Sequence, residues 1–354
     1  MTLIREGHGP NPLIGWQVDR ATITYIGHDL QRPECILAER DGTLWAADAR
    51  GGVMKILPDG SQSLITQRVD THFDLTADPE QSLLHGTLPN GLAFDAKGDF
   101  LIANFGTDRL EAMTRAGETR VIADAIDGRP MGKVNFVLRD SRDRVWITVS
   151  TRENPWDKAL RSTLADGYIA LLDEKGLRIV ADGLAFTNEI RFDANEEWLY
   201  AAETTGKRVS RFRVLPDGSL VEREIFGPDN LGTGFIDGLT FDAYGNLWAT
   251  MIFADRLIAI TPEGDVLELL DDGNPEATAR FEAEIANGQP ASFRHADGRR
   301  RRHMQMAGVG DIWRAGSAHG LSGRAPRDIH SRVPEPSRGA ADGALGAVIA
   351  SDRD

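Results

Sequence analysis

Five stretches of the chain repeat one design: a turn with Gly or Asp, an aromatic or apolar run, a short gap, then a second alternating run. They are "DGTLWAADARGGVMKILPDG", "KGDFLIANFGTDRLEAMTRAGE", "RDRVWITVSTR", "NEEWLYAAETTGKRVSRFRVLPDG" and "YGNLWATMIFADRLIAITPEG". In "LWAAD" or "LWATM", successive residues point to opposite faces of an extended chain, which predicts strands. Turns such as Pro58-Asp59-Gly60 and Pro216-Asp217-Gly218 join each run to the next. Trp45, Leu101, Trp146, Tyr200 and Trp248 mark equivalent places, with spacings of 56, 45, 54 and 48 residues. A period near fifty, filled by short strands, predicts one four-stranded sheet per period and hence a β-propeller. A solenoid is the alternative, but its repeats are usually shorter, and an array of this period normally closes on itself. Helical periodicity is weak throughout.

Two regions depart from the repeat. Residues 150–167, "STRENPWDKALRSTLADG", lengthen a loop with charged and aromatic residues, which reads as a lid or pocket wall or, equally, as a solvated excursion. From Ala291 onward the chain carries 11 Arg, no Lys and 7 acidic residues, a balance of +4 against −18 for residues 1–290. Trp313 in "GDIW" stands 65 residues after Trp248, yet its surroundings lack alternating strands. The expected division is therefore a propeller over 1–290, with five recognisable blades and an N-terminal closing strand, and an Arg-rich segment over 291–354 that is an atypical sixth blade or disordered.

Composition narrows the partners. Forty basic against 54 acidic side chains leave a net charge of −14, which argues against nucleic acid or an anionic membrane surface and leaves small molecules and cations. Cys35 is the single cysteine, so no internal disulfide can form. The first thirty residues lack the pattern of a secretory signal, and no apolar run approaches the roughly eighteen residues of a membrane helix. A cytoplasmic protein is expected. The oligomeric state is not encoded in any of these patterns.

In a propeller the innermost strand of each blade lines a central channel, and the loops entering those strands gather at one end of it. Glu34 in "RPECILAERDG", Asn135 in "GKVNFVLRDSRDR", Asn188 in "LAFTNEIRFDANEE" and Asp237 in "FIDGLTFDAYGN" each lie about ten residues upstream of their repeat's marker. Singly, such an Asn or Asp-Gly is more often turn chemistry than a ligand. Their recurrence at one place in four repeats predicts a ring of hard oxygen donors. Such a set suits Ca²⁺ best and Mg²⁺ or Mn²⁺ less well; with no sulfur or imidazole, zinc is disfavoured although an oxygen site can hold it. Asn90 in "LPNGLAFDAKGD" stands at the same position, and its turn with Gly91 is the favoured reading.

At these residues the sequence resembles the SMP-30/gluconolactonase/LRE family of six-bladed propellers, from about Gln31 to about Ala291. The resemblance rests on "PECILAERDGTLWAAD", "GKVNFVLRDSRDRVWIT", "LAFTNEIRFDANEEWLYAAET" and "DGLTFDAYGNLWAT". It implies an all-β, six-bladed β-propeller with a central metal site. It further implies a divalent metal held by Glu34, Asn188 and Asp237, with Asn135 completing the shell or binding substrate, and Asp237 as general base. Lys133 falls where the family carries a basic residue toward sugar hydroxyls, and Lys offers a point charge where Arg offers a planar fork. Glu189 replaces a common glycine, placing an extra carboxylate at or beside the site; the final blade is not recognisable after Ala291; and the long loop lies outside the shared pattern. That loop supplies Arg152 and Trp156 as further substrate-orienting candidates.

The expected activity is metal-dependent opening of a sugar (aldono) lactone by water. Alternatives are an arylesterase or organophosphate hydrolase on the same scaffold, a propeller that binds metal and ligand without catalysis, and, more remotely, a strictosidine-synthase-like propeller. No G-x-S-x-G, H-E-x-x-H, P-loop or G-x-G-x-x-G occurs, and Cys35 stands beside an anion that disfavours its thiolate.

Overall fold

The computed structural model describes residues 11–68, 86–287, 305–306 and 348–350. Each of the five sequence repeats forms one antiparallel four-stranded sheet. The first blade contains strands Ile36–Ala38, Leu44–Asp48, Gly52–Ile56 and Gln62–Thr66. The second contains Pro89–Phe94, Phe100–Asn104, Arg109–Met113 and Thr119–Ala123, and the third Val134–Arg139, Val145–Val149, Gly167–Asp173 and Gly176–Leu184. The fourth runs through Thr187–Phe192, Trp198–Glu203, Arg208–Val214 and Leu220–Phe226; the fifth through Phe235–Phe241, Leu247–Ile252, Arg256–Ile260 and Val266–Asp271. Within each blade consecutive strands are neighbours, and the first strands of adjacent blades pack together around an axis. The fold is an all-β propeller.

The alternation read from the sequence fixes which face packs where. The second strands are buried along nearly their whole length because neighbouring blades cover both faces. Aromatic rings make contacts between blades: Trp45 on Phe100 (5.0 Å between centroids), Trp146 on Phe192 (5.4 Å) and Tyr200 on Phe241 (4.9 Å). In three blades a carboxylate six residues before the marker tryptophan accepts its indole N–H: Glu39 from Trp45, Asp140 from Trp146 and Asp242 from Trp248, at 2.9–3.0 Å. The same aspartates cap the backbone of the turn between first and second strands, so one side chain fixes both turn and ring.

Between the fifth and first blades runs the N-terminal segment. Leu13, Trp16, Val18 and Ile23 pack with Trp248, Leu257, Leu269 and Leu270, while Ile26 and Leu30 pack with Ile36, Met54 and Ile56. Thr24–Tyr25 pairs in parallel with Val348–Ala350, which pairs with Gln305–Met306 in a separate three-stranded sheet. The rest of the expected atypical segment over 291–354, Trp313 included, lies outside the described residues.

One element departs from the expectation of weak helicity. Residues Pro275–Ala286 form a helix, α1, with Asn274 capping Glu276 N and Ala277 N and proline in its first turn. Ala277, Phe281 and Ile285 recur every fourth position and are its buried stripe. Twelve residues with one such stripe are too short to stand out beside five strand repeats. Among the described residues no helix is long and apolar enough to cross a membrane.

Candidate metal and substrate centre

Four of the five innermost strands break register at the position singled out in the sequence. The ladder slips between Pro89 and Gly91, Val134 and Phe136, Thr187 and Ile190, and Ile236 and Leu239. The residues left unpaired are Asn90, Asn135, Asn188 with Glu189, and Asp237 with Gly238. A β-bulge of this kind frees a residue from the ladder and re-aims its side chain. Threonines on the second strands supply the lost acceptors: Thr148 Oγ1 takes Phe136 N–H at 3.0 Å, and Thr250 Oγ1 takes Gly238 N–H at 2.9 Å. In the first blade Glu34 stands two residues before the inner strand.

These residues are linked across blades. Asn188 Nδ2 donates to Asp237 Oδ1 and to Thr204 Oγ1 (3.1 Å), and Thr204 Oγ1 donates to Ile236 O at 2.8 Å. Asn90 Nδ2 donates to Asn135 O at 3.0 Å. Since only an N–H can meet that carbonyl, the Asn90 amide is oriented and its Oδ1 points away. Asn90 is thus a member of the inner-strand ring, not the turn with Gly91 that its sequence suggests. The Oδ1 atoms of Asn90 and Asn135 are both buried without a hydrogen-bond partner. Buried acceptors of this kind are normally satisfied.

Burial together with the nearby Glu34 and Glu189 carboxylates raises the Asp237 pKa well above the usual carboxylate value, against the pull of Arg32 and the Asn188 hydrogen bond. Glu189 Oε2 receives Leu239 N–H at 3.1 Å and pairs with Arg191 Nη2 at 3.0 Å, and Arg191 lies over the Phe136 ring at 4.5 Å. Arg32 Nε pairs with Glu34 Oε1 at 2.9 Å. Lys133 is buried, pairs with Asp108 Oδ1 at 2.8 Å and sits 5.7 Å from the Phe105 ring centre.

Among the described residues no three His, Cys, Asp or Glu side chains form a metal-binding cluster. The donor set still fits a hard cation: Asp237 faces two further carboxylates whose repulsion a cation relieves, and Asn135 carries an oxygen with nothing to accept.

The long loop separates from this ring in part. Trp156, in the short 3-10 turn Trp156–Ala159, is buried between Phe105 (5.4 Å) and Phe186 (6.2 Å) in a cluster with Leu88 and Ala159. It builds the wall behind Phe105. Arg152 is exposed and lies over Tyr168 at 4.3 Å, with its backbone N–H on Asp166; burial pushes the Tyr168 phenol up to about 12. Leu160 continues the wall to Phe235 and α1, which Glu282 ties to Lys207 Nζ (2.7 Å) and Gly234 N (2.8 Å). Arg32, Asn90 and Arg191 were not among the expected site residues. Asn90 shares the repeat position, a usable signal; Arg32 stands two residues before Glu34 in the segment entering the first blade, and Arg191 two residues after Glu189 on one strand, a signal visible only once the ring is known.

Comparison with known proteins agrees with the architecture. A family model described as "SMP-30/Gluconolactonase/LRE-like region" matches residues 32–279. A 6-deoxy-6-sulfogluconolactonase of Pseudomonas putida is 25% identical over 125 residues, covering 33% of this chain and 43% of the relative. The chain thus spans less than half the length of the curated relatives it matches. A gluconolactonase structure from Xanthomonas campestris superposes with a TM-score of 0.53 at 20% identity, over 72% of this chain and 84% of the other. The calcium-binding protein regucalcin from Agrobacterium tumefaciens gives 0.51 at 17% identity, over 68% and 73%.

Proposed function

This chain belongs to the SMP-30/gluconolactonase/LRE-like family, and from that premise we propose that it is a metal-dependent hydrolase that opens a sugar lactone by water attack. The observation that carries the reading is the ring itself: Asp237, its pKa raised, faces Glu34 and Glu189 and is tied to Asn188, with the unsatisfied Asn135 oxygen on the third blade. Glu34, Asn188 and Asp237, with Asn135, would hold the cation, most suitably Ca²⁺; Mn²⁺, Mg²⁺ and Zn²⁺ are the other candidates. When bound, a divalent ion polarises the lactone carbonyl and stabilises the charge that develops on its oxygen.

The chain's own groups do the rest. Asp237 accepts the proton of the attacking water, the role that the family resemblance gives to the aspartate of the "DG" segment. Asn135 and Lys133 orient substrate hydroxyls, and the wall of Trp156, Phe105 and Phe186 limits water entry from one side. Glu189, held by Leu239 N–H and Arg191, keeps negative charge beside Asp237. Arg152, exposed on the long loop, orients substrate from the rim. The lactonase names of two similar proteins support the substrate class, and the regucalcin likeness supports calcium. In this reading the propeller spans residues 1–290 and acts in the cytoplasm.

The test is to strip the protein with chelator, restore Ca²⁺, Mn²⁺, Zn²⁺ or Mg²⁺ singly, and follow acid release from aldonolactones and phenyl esters. Calcium should restore turnover, and Asp237→Asn should lower it by about a hundredfold or more. Faster cleavage of phenyl esters would move the protein to the esterases. Metal binding with no ester or lactone opened faster than in buffer would leave a binding protein and end the lactonase reading.

A further inference from the structure

We propose that Arg32, with Lys133 behind it, forms an anion subsite beside the carboxylate ring, so that the preferred substrate carries a carboxylate, sulfonate or phosphate group away from its reacting carbonyl. The inference rests on the lactonase reading and adds the substrate's charge to it.

Arg32 adopts φ = 48°, a left-handed conformation that residues with side chains rarely take and that tends to persist at functional sites. Proline follows it, and Glu34 follows the proline, so the turn aims both side chains into the same space. The guanidinium spends Nε on Glu34 at 2.9 Å, while Nη1 is buried and has no hydrogen-bond partner. A guanidinium N–H withdrawn from water without an acceptor is costly, and a charged acceptor meets it best. Arg32 and Lys133 stand 5.9 and 5.7 Å from the centre of the same Phe105 ring, so two cations from different blades converge on one side chain.

The charge balance points the same way. The charged groups linked to the ring are Glu34, Asp108, Glu189 and Asp237 against Arg32, Lys133 and Arg191. That set sums to −1, and a bound divalent ion would turn it to +1. A surplus positive charge in a half-enclosed space attracts an anion. Arg32 has the free donor for it, whereas Lys133 is engaged by Asp108 and Arg191 by Glu189.

The experiment compares one aldonolactone with its counterpart bearing a terminal carboxylate, sulfonate or phosphate, using the full chain with Ca²⁺. The anionic lactone should show the higher kcat/KM, by about tenfold or more. Arg32→Gln should erase that ratio through KM, and Arg32→Lys should restore part of it. Calorimetry with the ring-opened acids supplies a readout independent of turnover: native protein should bind the acid that bears the additional anionic group more tightly than the plain aldonate, which carries only the carboxylate freed by ring opening, and Arg32→Gln should remove the difference. Equal turnover and equal binding of the forms with and without the additional anionic group would overturn the subsite, as would an Arg32→Gln change that affects both alike. Should no lactone be opened while Arg32-dependent anion binding persists, the lactonase reading falls and the subsite stands.

Discussion

At the scale of single residues, the site is made by defects in the ladder. Each bulge strands one or two residues, and the chain places Asn, Glu or Asp there. Close approach of backbones makes this possible at Gly91, where a Cβ would meet Phe136 Cα at 2.6 Å and Asn135 O at 2.9 Å. Backbone atoms of a buried inner strand cannot give way, so Gly91→Ala forces the second and third blades apart beside Asn135. It should cost about 1–3 kcal/mol in denaturant unfolding. Gly238 is the contrast: a Cβ there meets only side-chain atoms, Thr250 Oγ1 at 3.2 Å and Glu189 Oε1 at 3.7 Å. Gly238→Ala should therefore be the milder change in stability while disturbing the Glu189 side chain. The reverse ranking would show that the inner strands are less tightly spaced than described.

At the scale of elements, the turn carboxylates hold the blades' hairpins, and they give the protein an acid limit. Burial alone would raise the Asp140 pKa, but hydrogen bonds from Trp146, Arg144 and backbone N–H groups hold it below the ordinary value. Glu203 is lowered in the same way, its burial outweighed by Arg208, Ser210, Ala185 N–H and Arg223. The Arg115 hydrogen bond lowers Glu39. Groups with depressed folded pKa values contribute stability above the unfolded value, near 4, and lose it as pH falls through the folded value. Their contribution to the unfolding free energy should therefore hold from pH 7 to about 5 and fall below about 4, while Asp237, with its raised pKa, acts in the opposite sense. Asp140→Asn should lower the unfolding free energy by about 1–3 kcal/mol at pH 7 and flatten the acid limb. An unchanged acid limb in the variant would count against this account. These hairpins were legible because period-two alternation and Gly/Asp turns are local signals; the ring at Glu34, Asn135, Asn188 and Asp237 was legible because it recurs with them. Helix α1 was not, being a single short stripe. Nor were the Arg32–Glu34 and Lys133–Asp108 pairs or the burial of Trp156, since these follow from which blades face each other, a property of ring closure and not of any one segment.

At the scale of the whole molecule, the proposed centre draws Glu34 from the first blade and Asp237 from the fifth, the two ends of the described ring. Those blades are joined through residues 13–30, whose early half packs on the fifth blade and whose later half packs on the first. Val18 N–H reaches Leu269 O at 2.8 Å, and Arg20 pairs with Asp272 at 3.1 Å, so the segment is bonded as well as packed. If this clasp sets the distance between the two carboxylates, loosening it should cost more than stability. Leu13→Ala removes a buried contact with the fifth blade and should destabilise by about 2–4 kcal/mol. Ile147→Ala, a fully buried site within the third blade, should cost a similar amount. At a temperature where both variants stay folded, calcium titration should separate them: Leu13→Ala should bind more weakly than the native protein, and Ile147→Ala should bind like it. Equal affinities in the two variants would mean that the inner strands alone hold Glu34 and Asp237 in place, and that the clasp serves stability only.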